Sequence, residues 1–170
     1  MTSKGNTSGI HLIRGSLIGS LVLIFLDAAV YGSFLFSIMA CPIWFLASAV
    51  KNIVKRPGWK IALIRLALPL LTLGIVGGNA KLQSTIAQSN AERIVQAVEQ
   101  FRSINGAYPK KLDELVPRYL EAVPRAKFCL VFGEFMYLTS NEQHTLMWVA
   151  IPPFGRPTYN FEQRKWGYLD

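Results

Sequence analysis

The sequence predicts an α+β protein in two parts: N-terminal apolar helices that cross a membrane, then a small exported domain in which one long helix packs on an antiparallel sheet. Three observations lead there. Of 170 residues 51% are hydrophobic and only 16% charged, too apolar an average for an ordinary soluble domain. In the first 80 residues Lys4, Arg14, Lys51, Lys55, Arg56, Lys60 and Arg65 face a single acid, Asp27, whereas the other 11 basic residues face nine acids, so the formal +8 divides into +6 and +2. After Pro124 the hydrophobic period changes from helical spacing to short aromatic and β-branched runs.

Residues 1–14 read as a cytoplasmic tail. Residues 15–50 carry one charge, Asp27, over 36 positions. One crossing takes about 20 residues, so this stretch suits a transmembrane hairpin, 16–30 and 34–50, turning at "DAAVYGS" where Asp27, Gly32 and Ser33 favour a turn. The rival reading is one long tilted helix over 19–50, kinked at Pro42. In the hairpin Asp27 lies near the turn and is hydrated. In the long helix it lies within the bilayer, at a cost of about 2.5–3.5 kcal/mol, and is a candidate intramembrane functional residue.

Residues 51–60, "KNIVKRPGWK", form a basic loop with a Pro-Gly turn signal, and residues 61–78 a third apolar run in which Arg65 can snorkel to the interface. Basic residues in short loops mark the cytoplasmic side. Three crossings put Lys4, Arg14 and the 51–60 loop on that side together; two would put Arg14 on the unfavoured face. Either count exports residues 79–170, which in a bacterium means an inner-membrane protein with a periplasmic C-terminal domain.

Within 79–170, Ala91, Ile94, Val98 and Phe101 recur at helical spacing, with Glu92, Arg93, Gln96 and Glu99 around them. No Gly or Pro interrupts 81–105, so the third membrane helix is expected to run on into the domain. Asn105-Gly106 stops it, the Gly supplying a left-handed cap. "YPKKLDELVPRYL" restarts a short helix with Leu112, Leu115, Val116 and Tyr119 on one face, ended by Pro117. "KFCLVF", "FMYLTS", "TLMWVAI", "PTYNF" and "KWGYL" predict an antiparallel meander of three to five strands. Gly133-Glu134, residues 141–144, residues 152–155 and residues 162–164 are the connections. Cys129 reads as a buried strand residue, and Cys41, in a membrane helix, as out of its reach.

Phe101, Asn105, Gly106, Tyr108, Pro109, Leu112, Leu115, Pro117, Tyr119, Leu120 and Pro124 lie in "FRSINGAYPKKLDELVPRYLEAVP". With the long helix before them, they resemble the soluble domain of the major pseudopilins of type II secretion systems, over residues 85–125. The resemblance implies a pseudopilin-like helix on a small sheet and a place in a secretion or pilus system. The family's processing motif is absent: Gly58 follows a basic run, but Leu63 stands where the family carries Glu, and two apolar segments come first.

Chemistry-bearing patterns are sparse. His144 reads as a solvated turn residue, no Cys/His spacing suits zinc, and the carboxylates are spread too widely for a calcium loop. Basic residues flank the apolar stretches, which argues against nucleic acid. The expected function is therefore non-enzymatic, without cofactor or metal. The bilayer is one partner and an unidentified envelope protein or a toxin the other, the toxin if the chain is an immunity protein. Trp148, Phe154, Tyr159 and Trp166 are the candidate partner-binding residues, in competition with the need of a thin domain to fill its core with aromatics.

Overall fold

The computed structural model describes residues 7–140, 143–152 and 154–170, with side chains from residue 13 onward. Lys4, the turn residues Asn141 and Glu142, and Pro153 lie outside the described residues. Helix α1 (Thr7–Ile24) widens into a π-helical segment (Phe25–Tyr31), followed by α2 (Leu35–Lys55), α3 (Trp59–Asn105) and a 3₁₀ turn (Leu112–Leu115). Strands β1 (Met136–Ser140), β2 (Gln143–Met147), β3 (Arg156–Asn160) and β4 (Lys165–Leu169) follow. The chain forms two compact units, Met1–Ala80 and Lys81–Asp170.

In the first unit the 15–50 stretch is a hairpin and not one long helix. Gly32, in the left-handed region at φ 59°, ends the π-helical segment, and α2 begins three residues later. The two arms pack together: a Cβ at Gly19 would meet the Trp44 ring at 4.0 Å. Helices reach further than expected. Residues 7–14 are helical, the beginning of α1, and Lys51 to Lys55 complete α2, so the non-helical part of the basic loop is residues 56–58. Arg65 is among the buried polar residues of this unit.

What faces inward and outward in this unit is the reverse of a soluble core. Ser20, Ser37, Cys41, Ser48 and Thr72 are buried, while Leu21, Met39, Ile43, Leu46, Ile53 and Leu71 are exposed. Thr72 Oγ1 lies 2.9 Å from Ser20 Oγ and donates to the Leu68 carbonyl at 2.8 Å. Small and hydroxylated residues between helices, with Leu and Ile outside, is how helices associate where the solvent is hydrocarbon. All three helices are long and apolar enough to cross a membrane.

The second unit is α+β. Ala87, Ala91, Ile94, Ala97 and Val98 form the buried stripe of α3, where the alanines let other elements approach closely. Leu112, Leu115 and Leu120 close one side of the core, and Leu146, Trp148, Tyr159 and Phe161 come from the sheet region. Fully buried Ile94, Leu115, Leu146 and Phe161 each contribute about 1.5–3 kcal/mol of transfer free energy. The four strands pair in chain order, β1-β2-β3-β4, all antiparallel. Tyr137, Leu146, Tyr159 and Trp166 stand opposite one another in register and share one face. Met136, Met147, Thr158 and Gly167 share the other.

One expected strand is absent. "KFCLVF" alternates as a strand should, with Phe128 and Leu130 exposed and Cys129 buried, yet it is a curled loop. Its backbone bonds explain this: Ala126 and Lys127 N–H both donate to the Gly133 carbonyl, and Phe128 N–H donates to Gln83 Oε1 on α3 at 2.8 Å. The curl needs Gly133, because a Cβ there would come within 2.8 Å of the Cys129 carbonyl and 3.0 Å of that of Lys127.

Candidate functional site

Asp27 lies in the π-helical segment and is fully buried, not hydrated at the turn as expected. Its Oδ1 accepts the N–H of Phe36 at 3.1 Å and its Oδ2 that of Ser37 at 2.6 Å, the second and third residues of α2. A helix leaves its first N–H groups without intrahelical partners, and in an apolar interior each is costly. Phe34, at the N-cap, has no side-chain acceptor, so Asp27 supplies from across the turn what a capping Ser or Asp supplies locally. Its negative charge also faces the positive end of the α2 dipole.

The four aromatic candidates separate. Trp148 and Tyr159 are 2% and 8% exposed, which removes them from any contact surface. Trp148 meets Phe135 edge-on at 5.6 Å, and Tyr159 packs on Phe161 at 5.0 Å and on Trp166 at 4.8 Å. Phe154 and Trp166 are open, 69% and 38% exposed. Trp166 belongs to β4 and Phe154 to the connection between β2 and β3, so the set is two core residues and two surface residues.

The residues that line an open, largely apolar cleft, some exposed and some buried behind it, are ones the sequence left unassigned. On the outer face of the sheet Met136, Leu138, Met147 and Val149 stand across from Leu130 and Phe132 of the curled loop. Between them is a cleft of about 660 Å³ that also has Arg125, Arg156 and Glu134 in its walls. Strand β1 is an edge strand, so its outer backbone groups border the same region. The signal for this face was present: "FMYLTS" and "TLMWVAI" are apolar at both alternating sets of positions, the pattern of strands covered on both faces.

His144 is a residue of β2 and not a solvated turn. Its ring lies beside Tyr108 (4.8 Å between centroids) and Tyr137 (5.9 Å), and its Nδ1 is 2.8 Å from Glu162 Oε1. Glu162 Oε2 also accepts the His144 backbone N–H at 2.9 Å. Burial works against charge on Glu162, but the bonds to His144 outweigh it and hold the carboxyl below its usual 4.5. The Tyr108 hydroxyl accepts from Arg102 and donates to the Phe161 carbonyl at 3.0 Å; burial, then the charge of Glu99, raises it above its ordinary 10. Among the described residues the Tyr137 hydroxyl, which is buried, has no hydrogen-bond partner, and burial, then Glu162, pushes it far above the phenol range.

A histidine held by a carboxylate is half of a general-base arrangement. Among the described residues, however, its ring bonds to Glu162 and to no hydroxyl, thiol or amine. The cluster instead ties the end of α3 to the sheet, through Arg102, Tyr108 and Phe161. Lys127, whose ammonium burial pushes below its usual 10.5, donates to the Ala150 carbonyl and joins the curled loop to the β2–β3 connection. Among the described residues no group of three His, Cys, Asp or Glu side chains is placed to hold a metal ion. No protein-family model, curated protein or solved structure matches this chain.

Proposed function

We propose that this chain is a non-enzymatic protein of the bacterial inner membrane whose unit Lys81–Asp170, a pseudopilin-like domain on the periplasmic side, binds another protein of the cell envelope. The observation that carries the reading is the apolar outer face of the sheet. Met136 and Leu138 lie open on an edge strand beside the 660 Å³ cleft, where a water-soluble domain with no partner would carry polar side chains. An extended segment of a partner can add to such an edge by main-chain hydrogen bonds and seat alternate side chains in the cleft. The inverted burial of residues 13–80 supports the membrane assignment, and the basic residues around the 56–58 turn support a cytoplasmic location for that turn.

The partner is a component of a secretion or pilus system, as the resemblance of residues 85–125 suggests. An immunity protein would use the same surface on a toxin delivered to the periplasm or the membrane, and the identity of the captured protein separates the two. The test is a photo-crosslinking amino acid at Leu138, in intact cells producing the full chain. A discrete adduct with one protein, lost when Met136→Lys is added, is the expected result. Labelling no different from that of a probe at Gln163, on the β3–β4 connection, would end this reading.

A further inference from the structure

Strand β1 is open along one side. Phe161 N–H donates to the His144 carbonyl at 3.0 Å and Trp148 N–H to the Pro157 carbonyl at 3.3 Å, so His144, Leu146 and Trp148 direct their backbone groups to the β3 side. The direction alternates along an antiparallel strand. Gln143, Thr145 and Met147 therefore turn theirs to β1, onto Ser140, Leu138 and Met136. The backbone N–H and C=O of Tyr137 and Thr139 are left facing away from the sheet. Among the described residues neither makes a backbone hydrogen bond on that side.

The same strand has a hollow on each face. Met136 and Leu138 line the 660 Å³ cleft on the outer face, and Phe135 and Tyr137 line a second hollow of about 430 Å³ on the inner one. Arg125 and Glu134 are in the walls of both, so the two adjoin near the start of β1. Their chemistry differs. The outer cleft is mainly apolar, whereas in the inner one Lys111 and Arg125 stand with Asp113 and Glu134. Among the described residues none of these four side chains makes an ion pair. Charges of both signs beside a bare strand edge suit polar side chains of a partner, not a second apolar surface.

We infer that the free edge of β1 takes up an extended, amphipathic segment of the partner as an added strand. Its apolar side chains lie over Met136 and Leu138, and its polar or charged ones point toward the hollow beside Tyr137. The inference rests on the proposed use of the sheet's outer face, and it adds the partner's conformation and sequence pattern. Side chains alternate between the two faces along a strand, so one extended segment on this edge reaches both hollows. A helix laid on the apolar face would fill the cleft alone and leave the edge groups of Tyr137 and Thr139 unpaired. The main-chain bonds hold any sequence; the two hollows select alternation of apolar and polar residues.

The test uses intact cells producing the full chain, with a photo-crosslinking amino acid at Leu138 or at Lys111, which lines the inner hollow. Each probe is read in the parent, in Thr139→Val and in Thr139→Pro. Proline removes the outward N–H, which the β1–β2 ladder does not use, and proline is tolerated at such a position on an edge strand. Both probes are expected to crosslink to the same protein, within one segment of alternating apolar and polar residues. Thr139→Pro is expected to lower both yields about tenfold, the equivalent of one main-chain hydrogen bond, and Thr139→Val to leave them unchanged. Protection of the buried Cys129 thiol shows that the unit stays folded. If Leu138 still captures its protein in folded Thr139→Pro, or the two probes mark distant parts of that protein, strand addition is wrong and the reading of the outer face stands. If Thr139→Pro unfolds the unit, the crosslink positions in the parent decide by themselves. Labelling from Leu138 no different from that of a probe at Gln163 removes both. A crosslink to a second copy of this chain would mean that the edge closes on itself, and would also overturn both.

Discussion

Replacing Asp27 separates a carboxylate that holds the hairpin together from one that serves ion conduction or helix pairing within the membrane. In Asp27→Ala the N–H groups of Phe36 and Ser37 lose acceptors at 3.1 and 2.6 Å, in an interior where Asp27 is fully buried and Phe34 offers no substitute. Hydrogen bonds to a charged group are worth about 1.5–3 kcal/mol and an N-cap about 0.5–2 kcal/mol. Because the two bonds share one helix end they are not additive, and the expected loss is about 2–4 kcal/mol. Asp27→Asn keeps one acceptor oxygen and turns an NH₂ group toward the other donor, so about 1–2 kcal/mol is lost. For a chain of this size each kcal/mol moves the unfolding midpoint by about 2–4 °C, which puts the Ala variant about 4–16 °C below the parent.

The assay is thermal unfolding of the full chain in detergent, with thiol modification read site by site. Cys41, buried in α2, reports the hairpin, and Cys129 reports the second unit as an internal control. The expected order of Cys41 midpoints is parent, Asn, Ala, with Cys129 little changed. If Asp27→Ala exposes Cys41 at the parent's temperature, the capping assignment is wrong and the buried carboxylate needs a functional explanation.

Four other outcomes are expected. Tyr137→Phe removes a buried hydroxyl that has no partner among the described residues, so the Cys129 midpoint should hold or rise, by up to about 1 kcal/mol of stability; a clear fall would reveal a bond the hydroxyl does make. Gly106, at φ 75° with open space around a hypothetical Cβ, should cost about 1–2 kcal/mol as Ala through backbone conformation alone, and an unchanged midpoint would contradict the left-handed cap. Glu162 has a lowered carboxyl pKa, so its stabilising contribution is complete above 4.5 and is lost as pH falls through the folded value. Glu162→Gln should flatten that part of the stability–pH curve, and a curve of unchanged slope would remove the pair from the account. Reporter fusions after Lys60 and Asp170 should read cytoplasmic and periplasmic respectively, and a periplasmic signal at Lys60 would overturn the proposed topology.

Much of the local architecture was legible in the residues themselves. Ala91, Ile94 and Val98 marked the buried stripe of α3, Gly106 its end, and four of the five aromatic runs the strands of the meander, while the expected short helix through Tyr119 is a 3₁₀ segment that stops at Leu115, with Val116 extended. These are short-range properties: period, capping and turn chemistry act within a few residues, so the sequence carries them directly. The candidate site was much less legible. Trp148 and Trp166 are the same residue type in similar strand patterns, yet one is core and the other surface, because their surroundings are set by which strand is central and which is at the edge.

The same limit explains the remaining differences. Asp27 finds its partners nine and ten residues away across a turn, and "KFCLVF" is a loop because its N–H groups bond to Gly133 and to a glutamine 45 residues earlier. Alternation in a sequence reports that two sides of a segment differ; it does not say whether lipid, core or a partner covers the apolar one. By itself the sequence determined the helices, the caps, the meander and the split of charge along the chain. Only the tertiary structure decided that the 15–50 stretch folds back as a hairpin capped by Asp27, and which apolar side chains remain uncovered. Those outcomes depend on hydrogen bonds and packing between residues far apart in the chain.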